Sequence, residues 1–266
     1  MTRLRAADAQ KRLQSGHGRD FLEVLARSMH VIEVLGRGQH ALTLSDVARA
    51  ADLPKPSVRR VLHTLCSLGY AELAGRNFKL TPKIMRLATA YLGTGGNSRV
   101  LQSACDHLSQ LTGQSCLAGV LDGEDVLVVA YSMPRQLMAP ALGVGVHFPA
   151  YCTAAGRILL GQMPDEGLNA FLRKLRPVPQ TEFTVTDKVK IKSQIITARK
   201  QGCSWMEDEF SLGWKTIAYL LRRHDGSVFG ALSLNTKKSP AVTDAQLEKF
   251  GQLCAAQAAA LYPLLV

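Results

Sequence analysis

Apolar residues recur at helical spacing along the first third of the chain, and the clearest case is the segment Leu53–Tyr70. On a helix with about 100° per residue, its apolar positions fall within one arc of about 120° and are Val58, Val61, Leu62, Leu65 and Leu68. The opposite arc is basic or hydroxyl-bearing and carries Lys55, Arg59, Arg60, His63 and Ser67. The segment contains no acidic residue. We predict an amphipathic helix that packs through one face and presents positive charge on the other.

A second, shorter helix is predicted immediately upstream, from about Ser45 to Ala51. Thr43 and Asp46 have the spacing of a capping box at its start. Pro56 is compatible with the following helix because it falls in the first turn, where the backbone N–H has no intrahelical partner. Two short helices joined by a tight turn predict a helix-turn-helix, whose second helix can enter a DNA major groove.

The flanking residues extend this module. An amphipathic helix is predicted over Phe21–Gly38, and Tyr70–Leu80 has the pattern of two short strands around Gly75-Arg76-Asn77, a hairpin with a basic tip. Together these elements predict a winged helix-turn-helix over residues 21–82. The predicted DNA contacts in the two helices are Ser45, Lys55, Ser57, Arg59, Arg60, His63 and Thr64. Those in the hairpin, or wing, are Arg76 and Lys79.

The hydrophobic pattern changes after residue 113. Residues 83–113 are interpreted as linker helices with a flexible, glycine-rich link that starts at Gly93, and residues 114–266 mix strands with helices. Hairpins are predicted at Asp122-Gly123-Glu124 and at Asp225-Gly226, and helices over 153–163, 165–175, 187–202 and 243–265. Because strands and helices do not alternate strictly, we predict an α+β domain with an antiparallel sheet.

The second linker helix, predicted over Arg99–Gly113, has one apolar stripe. Its members are Val100, Leu101, Ala104, Leu108 and Leu111. Such a stripe either packs on its own domain or pairs with the same helix of a second copy, and the sequence alone leaves both open.

Charge is distributed unevenly. The net charge of the 266 residues is +11, of which residues 1–92 contribute +8 and residues 93–266 contribute +3. Concentrated positive charge supplies the salt-dependent part of nucleic-acid affinity. A membrane-surface partner is not expected, because the apolar arc of the basic helix is needed for the core of its own domain. Residues 1–20 are predicted to form a disordered basic tail, without the apolar core of a signal peptide.

The six cysteines show no C-x-x-C pair and no histidine at metal-ligand spacing, so neither a metal site nor a cofactor is predicted. They are interpreted as small buried apolar residues in a reducing compartment. No apolar run approaches the length of a membrane span. We therefore expect a cytoplasmic protein.

Four motifs, in this order, resemble the IclR family of bacterial transcription regulators. They are the helix-turn-helix from Leu44 to Tyr70, KLTPKIMRLATAYL after the hairpin, FPAYCTAAGRILLG, and GCSWMEDEFSLGWKTIAYLL. The resemblance runs from about Phe21 to the C-terminus. The PAYCTAAGRILL form is most similar to the subgroup that controls aromatic-acid catabolism in the β-ketoadipate pathway.

The resemblance implies a GAF-like domain that binds a small effector and mediates assembly into a homodimer or homotetramer on a partly palindromic operator in double-stranded DNA. The implied effector contacts are the backbone amides of Ala154 and Ala155, and the side chains of Thr216, Ser233 and Asn235. An acidic pocket position of some relatives falls on Met206 here, which favours a bulkier or more apolar ligand. Glu209 is expected to orient the loop around it.

Elementary chemistry agrees with a small carboxylate effector. Small residues at a helix start let a ligand approach free backbone N–H groups, which favour an anion. The same residues could instead serve close packing of a helix on a sheet.

Two other function classes are less favoured. Cys152 or Ser233 with His147 or His224 could form a nucleophile–base set, but no nucleophile-elbow pattern is present. A ligand-independent DNA-binding protein would not need the second domain. The sequence therefore predicts a non-enzymatic regulator that senses an aromatic or dicarboxylic acid and controls a catabolic operon.

Overall fold

The computed structural model describes residues 20–37, 40–94, 96–134 and 143–266. The chain divides into two compact units, Met1–Ala90 and Tyr91–Val266. This boundary falls inside the segment 83–113 that was predicted to form linker helices. The predicted basic tail at residues 1–20 lies outside the described residues except for Asp20.

The first unit contains the helices and strands expected of a winged helix. Helix α1 (Glu23–Arg37), strand β1 (Leu42–Thr43), helices α2 (Leu44–Ala50) and α3 (Lys55–Ser67), and strands β2 (Ala71–Ala74) and β3 (Asn77–Leu80) follow in order. The strands form an antiparallel sheet in the order β1-β3-β2. A 3₁₀ turn (Pro82–Ile84) and helix α4 (Met85–Thr94) come next.

Helix α2 begins at the predicted capping box. The amide of Asp46 donates to Thr43 Oγ1 at 3.2 Å, and the amide of Thr43 donates to Asp46 Oδ2 at 3.2 Å. Hydrogen bonds from the Thr43 side chain and backbone lower the pKa of Asp46. This cap fixes the start of α2, and the turn Ala51–Pro54 then leads into α3.

The apolar face of α3 is shorter than predicted. Val58, Leu62 and Leu65 are buried in the core of the first unit and Val61 is half-buried, whereas Leu68 is 54% exposed. The prediction for Leu68 was wrong because α3 ends at Ser67 and the chain turns at Gly69, where φ is +75°.

The predicted glycine-rich link is also wrong in the residues that the structure describes. Helix α4 continues to Thr94, and helix α5 (Gly96–Thr112) begins two residues later. The glycines predicted to be flexible, apart from residue 95, which is outside the described residues, therefore lie in helices.

The second unit is built on a six-stranded antiparallel sheet in the order β6-β5-β4-β9-β8-β7. The sheet contains both predicted hairpins, and the strands are β4 (Ser115–Asp122), β5 (Asp125–Ser132), β6 (His147–Pro149), β7 (Cys203–Glu207), β8 (Trp214–Arg222) and β9 (Val228–Lys237). Between β6 and β7 lie a 3₁₀ turn (Ala150–Cys152) and the helices α6 (Ala154–Leu160), α7 (Asp165–Lys174) and α8 (Lys188–Gln201). Helix α9 (Asp244–Ala260) and a 3₁₀ turn (Tyr262–Leu264) follow β9.

Two apolar clusters cover the two faces of this sheet. One contains residues of α6, α7 and α8, and the other contains residues of α5 and α9. Ile217 and Ala218, neighbours on β8, belong to different clusters, as the alternation of side chains along a strand requires. The layers are therefore helix, sheet and helix.

The apolar stripe of α5 packs on its own unit, which is one of the two outcomes the sequence allowed. Leu101, Ala104 and Leu108 are buried in the cluster with α9, while Leu111 at the end of the stripe is 56% exposed.

Four of the six cysteines are buried as predicted, whereas Cys66 and Cys203 are half-buried. All six are free, and the buried ones are Cys105, Cys116, Cys152 and Cys254. Among the described residues, no group of His, Cys, Asp and Glu could hold a metal ion. No helix in the described part of the chain is both long and apolar enough to cross a membrane.

Candidate functional site

The exposed face of α3 is a surface of uncompensated positive charge. Lys55, Arg59, Arg60, His63 and Thr64 are all exposed. Within the described ranges, none of Lys55, Arg59 and Arg60 has an ion-pair partner. Because the buried residues of α3 occupy the other side of the helix, this face is available to an anionic surface.

The predicted hydroxyl-bearing contacts have different surroundings. Ser45 and Ser57, near the starts of α2 and α3, are half-buried. The hydroxyl of Thr64 donates to the carbonyl oxygen of Arg60 at 2.9 Å, so its remaining capacity is that of an acceptor. Ser57 therefore lies beside the N-terminal end of the exposed basic face, and Thr64 lies near its other end.

The wing is less basic than the sequence suggested. Gly75 adopts a φ of +65° in the turn between β2 and β3, and Arg76 beside it is exposed. Lys79 lies directly opposite Glu72 across the hairpin, and its Nζ is 2.9 Å from Glu72 Oε1. The register of the hairpin places Glu72 opposite Lys79, and this register could have been derived from the sequence by counting outward from the turn. Arg76 is left as the wing's unpaired cation among the described residues of the hairpin.

A cavity of about 450 Å³ opens on the face of the second unit's sheet that carries α6. All six residues that the family resemblance assigned to an effector line it, and these are Ala154, Ala155, Met206, Thr216, Ser233 and Asn235. Residues separated by more than 80 positions in the chain thus meet around one space.

The floor of the cavity is a row of side chains across four strands. Ser115 on β4 pairs with Asn235 on β9, Asn235 pairs with Thr216 on β8, and Thr216 pairs with Met206 on β7. Directly opposed residues point to the same face of an antiparallel sheet. Three polar side chains therefore stand beside one buried thioether, with Ser233 two residues from Asn235 on the same strand.

Helix α6 closes one side of the cavity. Thr153 caps the helix by accepting a hydrogen bond from the amide of Gly156 at 3.2 Å. The amides of Ala154 and Ala155 are the first two of the helix and have no intrahelical acceptor. A Cβ on Gly156 would lie 2.1 Å from the carbonyl oxygen of Ala150, so close packing requires glycine here.

Aromatic and aliphatic residues that sequence reasoning missed form the cavity walls. Phe148 on β6 and Phe210, in the loop after β7, pack edge to face with ring centroids 5.0 Å apart and an interplanar angle of 73°. Leu117, Val126 and Trp214 complete these walls. Leu117, Val126 and Phe148 lie on β4, β5 and β6, whereas Phe210 and Trp214 lie in the loop after β7 and on β8, so sheet order and loop path together bring these residues to one cavity.

The loop from Asp208 to Gly213 is held at both ends. Asp208 has a φ of +57°, accepts a hydrogen bond from the amide of Gly213 at 2.6 Å, and pairs with Lys238 Nζ at 2.6 Å. The hydrogen bond from Lys238 is the main cause that lowers the pKa of Asp208. The carboxyl group is therefore ionised at neutral pH and committed to the loop.

Glu209 orients the same loop through a buried ion pair. Both carboxylate oxygens accept from the guanidinium of Arg157 at 2.7 Å, and Oε2 also accepts from the amide of Val185 at 3.0 Å. Arg157 donates in addition to the carbonyl oxygen of Tyr151 at 2.9 Å. Both side chains are almost completely buried. The sequence indicated an orienting role for Glu209 but did not identify Arg157 as its partner.

The groups considered for a nucleophile–base set are not assembled in the described structure. Burial raises the pKa of the Cys152 thiol to about 11, and its Sγ contacts the carbonyl oxygen of Pro149 at 3.8 Å. The ring of His147 is exposed and lies 3.3 Å from Asp122. Ser233 contacts Asn235 at 3.4 Å, and the backbone carbonyl of His224 accepts from Tyr262. A thiol with this pKa is not a nucleophile at neutral pH.

Comparison with known proteins accounts for both units. The IclR helix-turn-helix domain matches residues 24–74, and the C-terminal domain of the bacterial transcriptional regulator IclR matches residues 91–261. The Pca regulon regulatory protein of Pseudomonas putida is 34% identical over 245 residues, which cover 91% of this chain and 84% of that protein.

Two further relatives agree. The p-hydroxybenzoate hydroxylase transcriptional activator of Acinetobacter baylyi is 27% identical over 80% of this chain and 81% of its own length. The crystal structure of an IclR homolog from Microbacterium hydrocarbonoxydans complexed with 4-hydroxybenzoate has the same fold, with a TM-score of 0.73 and 22% identity over 89% of this chain and 96% of that one. The chain therefore belongs to the IclR family of bacterial transcriptional regulators.

Proposed function

We propose that this regulator binds an operator through α3 and the wing and binds a small organic acid in the cavity of its second unit. The single observation that carries the proposal is the convergence of six effector positions, widely separated in sequence, on one cavity of about 450 Å³. The names of the relatives refer to the Pca regulon and to p-hydroxybenzoate hydroxylase, so we propose an aromatic or dicarboxylic acid as the effector and a catabolic operon as the target.

The DNA part of the proposal rests on α3. A helix-turn-helix places its second helix in the major groove with the N-terminal residues nearest the bases. Lys55, Ser57, Arg59 and His63 would face the groove, and Arg60 at the edge of this face would contact a base edge or a phosphate. In the wing, Arg76 and Lys79 would contact phosphates, which fix position without reading sequence.

The effector part rests on the division of the cavity into apolar walls and a few polar groups. The walls suit a ring or a methylene chain, while the amides of Ala154 and Ala155 suit one carboxylate. Thr216, Ser233 and Asn235 supply hydroxyl and amide groups for the remaining polar atoms. Met206 adds apolar surface where an acid would otherwise repel an anion.

A bulky residue at position 155 tests the effector site. Ala155→Leu fills the approach to the helix start, so we expect the dissociation constant of the effector, identified by a thermal-shift screen of aromatic and dicarboxylic acids, to rise at least tenfold in isothermal titration. Operator affinity without effector, measured by gel shift on the same protein, should be unchanged. Ala259→Leu, at an exposed position of α9, is the matched control.

Two outcomes would contradict the assignment. Unchanged effector affinity in Ala155→Leu would place the site elsewhere. Loss of operator binding without effector, in a variant that keeps its melting temperature, would mean that Ala155 supports the DNA-binding form rather than the ligand. Ser233→Ala, which removes a hydroxyl without adding volume, distinguishes loss of a polar contact from a steric effect.

We also propose that the protein acts as a homodimer or homotetramer. Two copies would present two basic helices to a partly palindromic operator, which one copy cannot do. Leu22, Leu25 and Met29 lie on one side of the N-terminal helical region and are 68%, 58% and 44% exposed, which suits a contact between copies. Sedimentation that shows a monomer at micromolar concentration would contradict this proposal.

A regulator with these properties needs no catalytic centre. The buried Cys152 thiol and the separate environments of His147 and Ser233 support a function without turnover. Its operator lies in the cytoplasm of the bacterium, where we propose that the protein acts. Consumption of a bound acid, followed by chromatography over hours, would contradict a purely sensory second unit.

A further inference from the structure

The cavity of the second unit contains one charged side chain that is not committed to another residue. Two acidic side chains and one basic side chain line it, and these are Asp208, Glu209 and Lys237. Asp208 is paired with Lys238 and Glu209 with Arg157. Lys237 has no ion-pair partner among the described residues. Cations outside the lining compensate the charges of the two acids. The charge of Lys237 is therefore left uncompensated, and it favours an anion at this part of the cavity.

Lys237 lies on the face of β9 that forms the floor. Side chains two residues apart point to the same side of a strand, so Ser233, Asn235 and Lys237 form one polar line along β9. Ser233 is buried, Asn235 is half-buried and Lys237 is exposed. The line therefore runs from the interior of the cavity to its opening.

The backbone at Lys237 is fixed even though its side chain reaches solvent. Its amide donates to Gln114 Oε1 at 3.1 Å, and the residue pairs with Trp214 on β8. An exposed lysine on a fixed backbone at the opening of an apolar cavity is well placed to meet a negatively charged end of a ligand. The adjacent Lys238 has a different role, because its ammonium is 2.6 Å from both Glu207 and Asp208.

The two ends of the cavity are far enough apart to hold two groups of one molecule. Ser233 and Lys237 are four residues apart, or about 13 Å along an extended strand. The alanines at the start of α6 belong to the same buried cluster as Ala218, which pairs with Ser233 at the interior end. A carboxylate at α6 would leave the far end of a ring or chain directed toward the opening.

We propose that Lys237 is a specificity-determining residue that binds a second anionic group of the effector. This inference rests on the proposed function, in which α6 binds the first carboxylate. It predicts that the regulator prefers diacids to monoacids of the same skeleton, since a charge-assisted hydrogen bond from Lys237 is available only to the diacid.

Matched ligand pairs test this preference. Isothermal titration of the full chain would use benzoate and terephthalate, which share a ring, and hexanoate and adipate, which share a chain length. The variants are Lys237→Gln, Lys237→Arg and the control Lys200→Gln, which removes the same charge from an exposed position of α8. Melting temperatures verify that each variant is folded.

We expect the wild type to bind at least one diacid at least tenfold more tightly than its monoacid. Lys237→Gln should abolish that preference by weakening the diacid alone, while Lys237→Arg keeps the preference within threefold and Lys200→Gln leaves it unchanged. Equal weakening of both members of a pair, or an unchanged preference in Lys237→Gln, would overturn the role of Lys237.

The two proposals fail in different ways. Binding of monoacids with no preference for diacids would overturn the inference on Lys237 and leave the effector site in place. A wild-type protein that binds none of the four acids, and no member of the wider screen, would contradict the effector site and with it the role of Lys237.

Discussion

The basic face of α3 and the cavity of the second unit use charge in opposite ways. On α3 the cations are exposed, and Lys55, Arg59 and Arg60 have no partner within the described residues. In the cavity both acids are tied to a cation, and the pair between Arg157 and Glu209 is buried. An exposed charge without a partner stays hydrated and destabilises the fold little, whereas a buried charge without a partner is strongly destabilising.

This difference follows from the ligands each surface suits. DNA brings many phosphates, and exposed cations attract them over a distance comparable to the Debye length. A small acid brings one or two charges, so the cavity needs few free groups at fixed positions. Pairing the remaining charges fixes the loop from Asp208 to Gly213, and leaves Lys237 as the available cation.

Breaking the buried pair should have the largest effect. Arg157→Met leaves the Glu209 carboxylate buried without its countercharge, and we expect a loss of about 3–5 kcal/mol in the free energy of unfolding. Urea unfolding of the full chain measures it. The double variant Arg157→Met/Glu209→Leu should recover much of this loss. If the free energy of unfolding of Arg157→Met stayed within about 1 kcal/mol of the wild-type value, the ion pair would not be desolvated.

Removing an exposed cation from α3 should affect binding and leave stability unchanged. Arg60→Ala is expected to weaken operator binding by about 1–3 kcal/mol, because a base-edge or phosphate contact is lost. A gel-shift titration at fixed salt measures this change. Arg173→Ala, at an exposed position of α7, is the control. Equal operator affinity in both variants would contradict the placement of Arg60.

The helix cap tests whether the first unit depends on local hydrogen bonds. Thr43→Ala removes the side-chain acceptor for the Asp46 amide, and we expect a loss of about 1 kcal/mol in stability. Thermal unfolding measures this loss against Thr89→Ala, an exposed helical threonine whose hydroxyl donates to Arg86. A melting temperature equal to that of the control would show that the cap contributes little.

The wing should show the smallest effects, and they should differ between its two cations. Arg76→Ala is expected to weaken binding to every DNA sequence alike and to reduce the salt slope by about 1. Lys79→Ala should do less, because Lys79 is already paired with Glu72. Glu72→Ala, which frees Lys79, should strengthen binding in the same assay. Equal effects of Arg76→Ala and Lys79→Ala on DNA binding would contradict this distinction.

The first unit could be predicted from sequence because its signals are local. The capping spacing of Thr43 and Asp46, the alternation of buried and basic positions on α3, and the turn at Gly75 each lie within a few consecutive residues. The error at Leu68 arose from extending the helical pattern past Ser67. The error at the glycine-rich segment arose from treating glycine as a helix breaker, although the helices continue on both sides of residue 95.

The cavity could be predicted only in part. The family resemblance supplied the six lining positions that the structure brings together, but it supplied no wall and no charge balance. Phe148 and Phe210, Arg157 and Glu209, and Lys237 with its neighbours meet through sheet order and loop path. No local pattern encodes these contacts. Once β9 was assumed to be a strand, the alternation of its side chains would have placed Lys237 on the same face as Asn235.

The long span of the cavity floor has a consequence for synthesis of the protein. The hydroxyl of Ser115 donates to the carbonyl oxygen of Asn235, a contact between residues 120 positions apart. Domains form in order as the chain leaves the ribosome, N-terminal first. The elements from α1 to β3 are complete by residue 80, while the floor has to wait for residue 237. A chain interrupted in between would carry the basic helix without the proposed effector site, so any DNA binding that it retained would not respond to the acid.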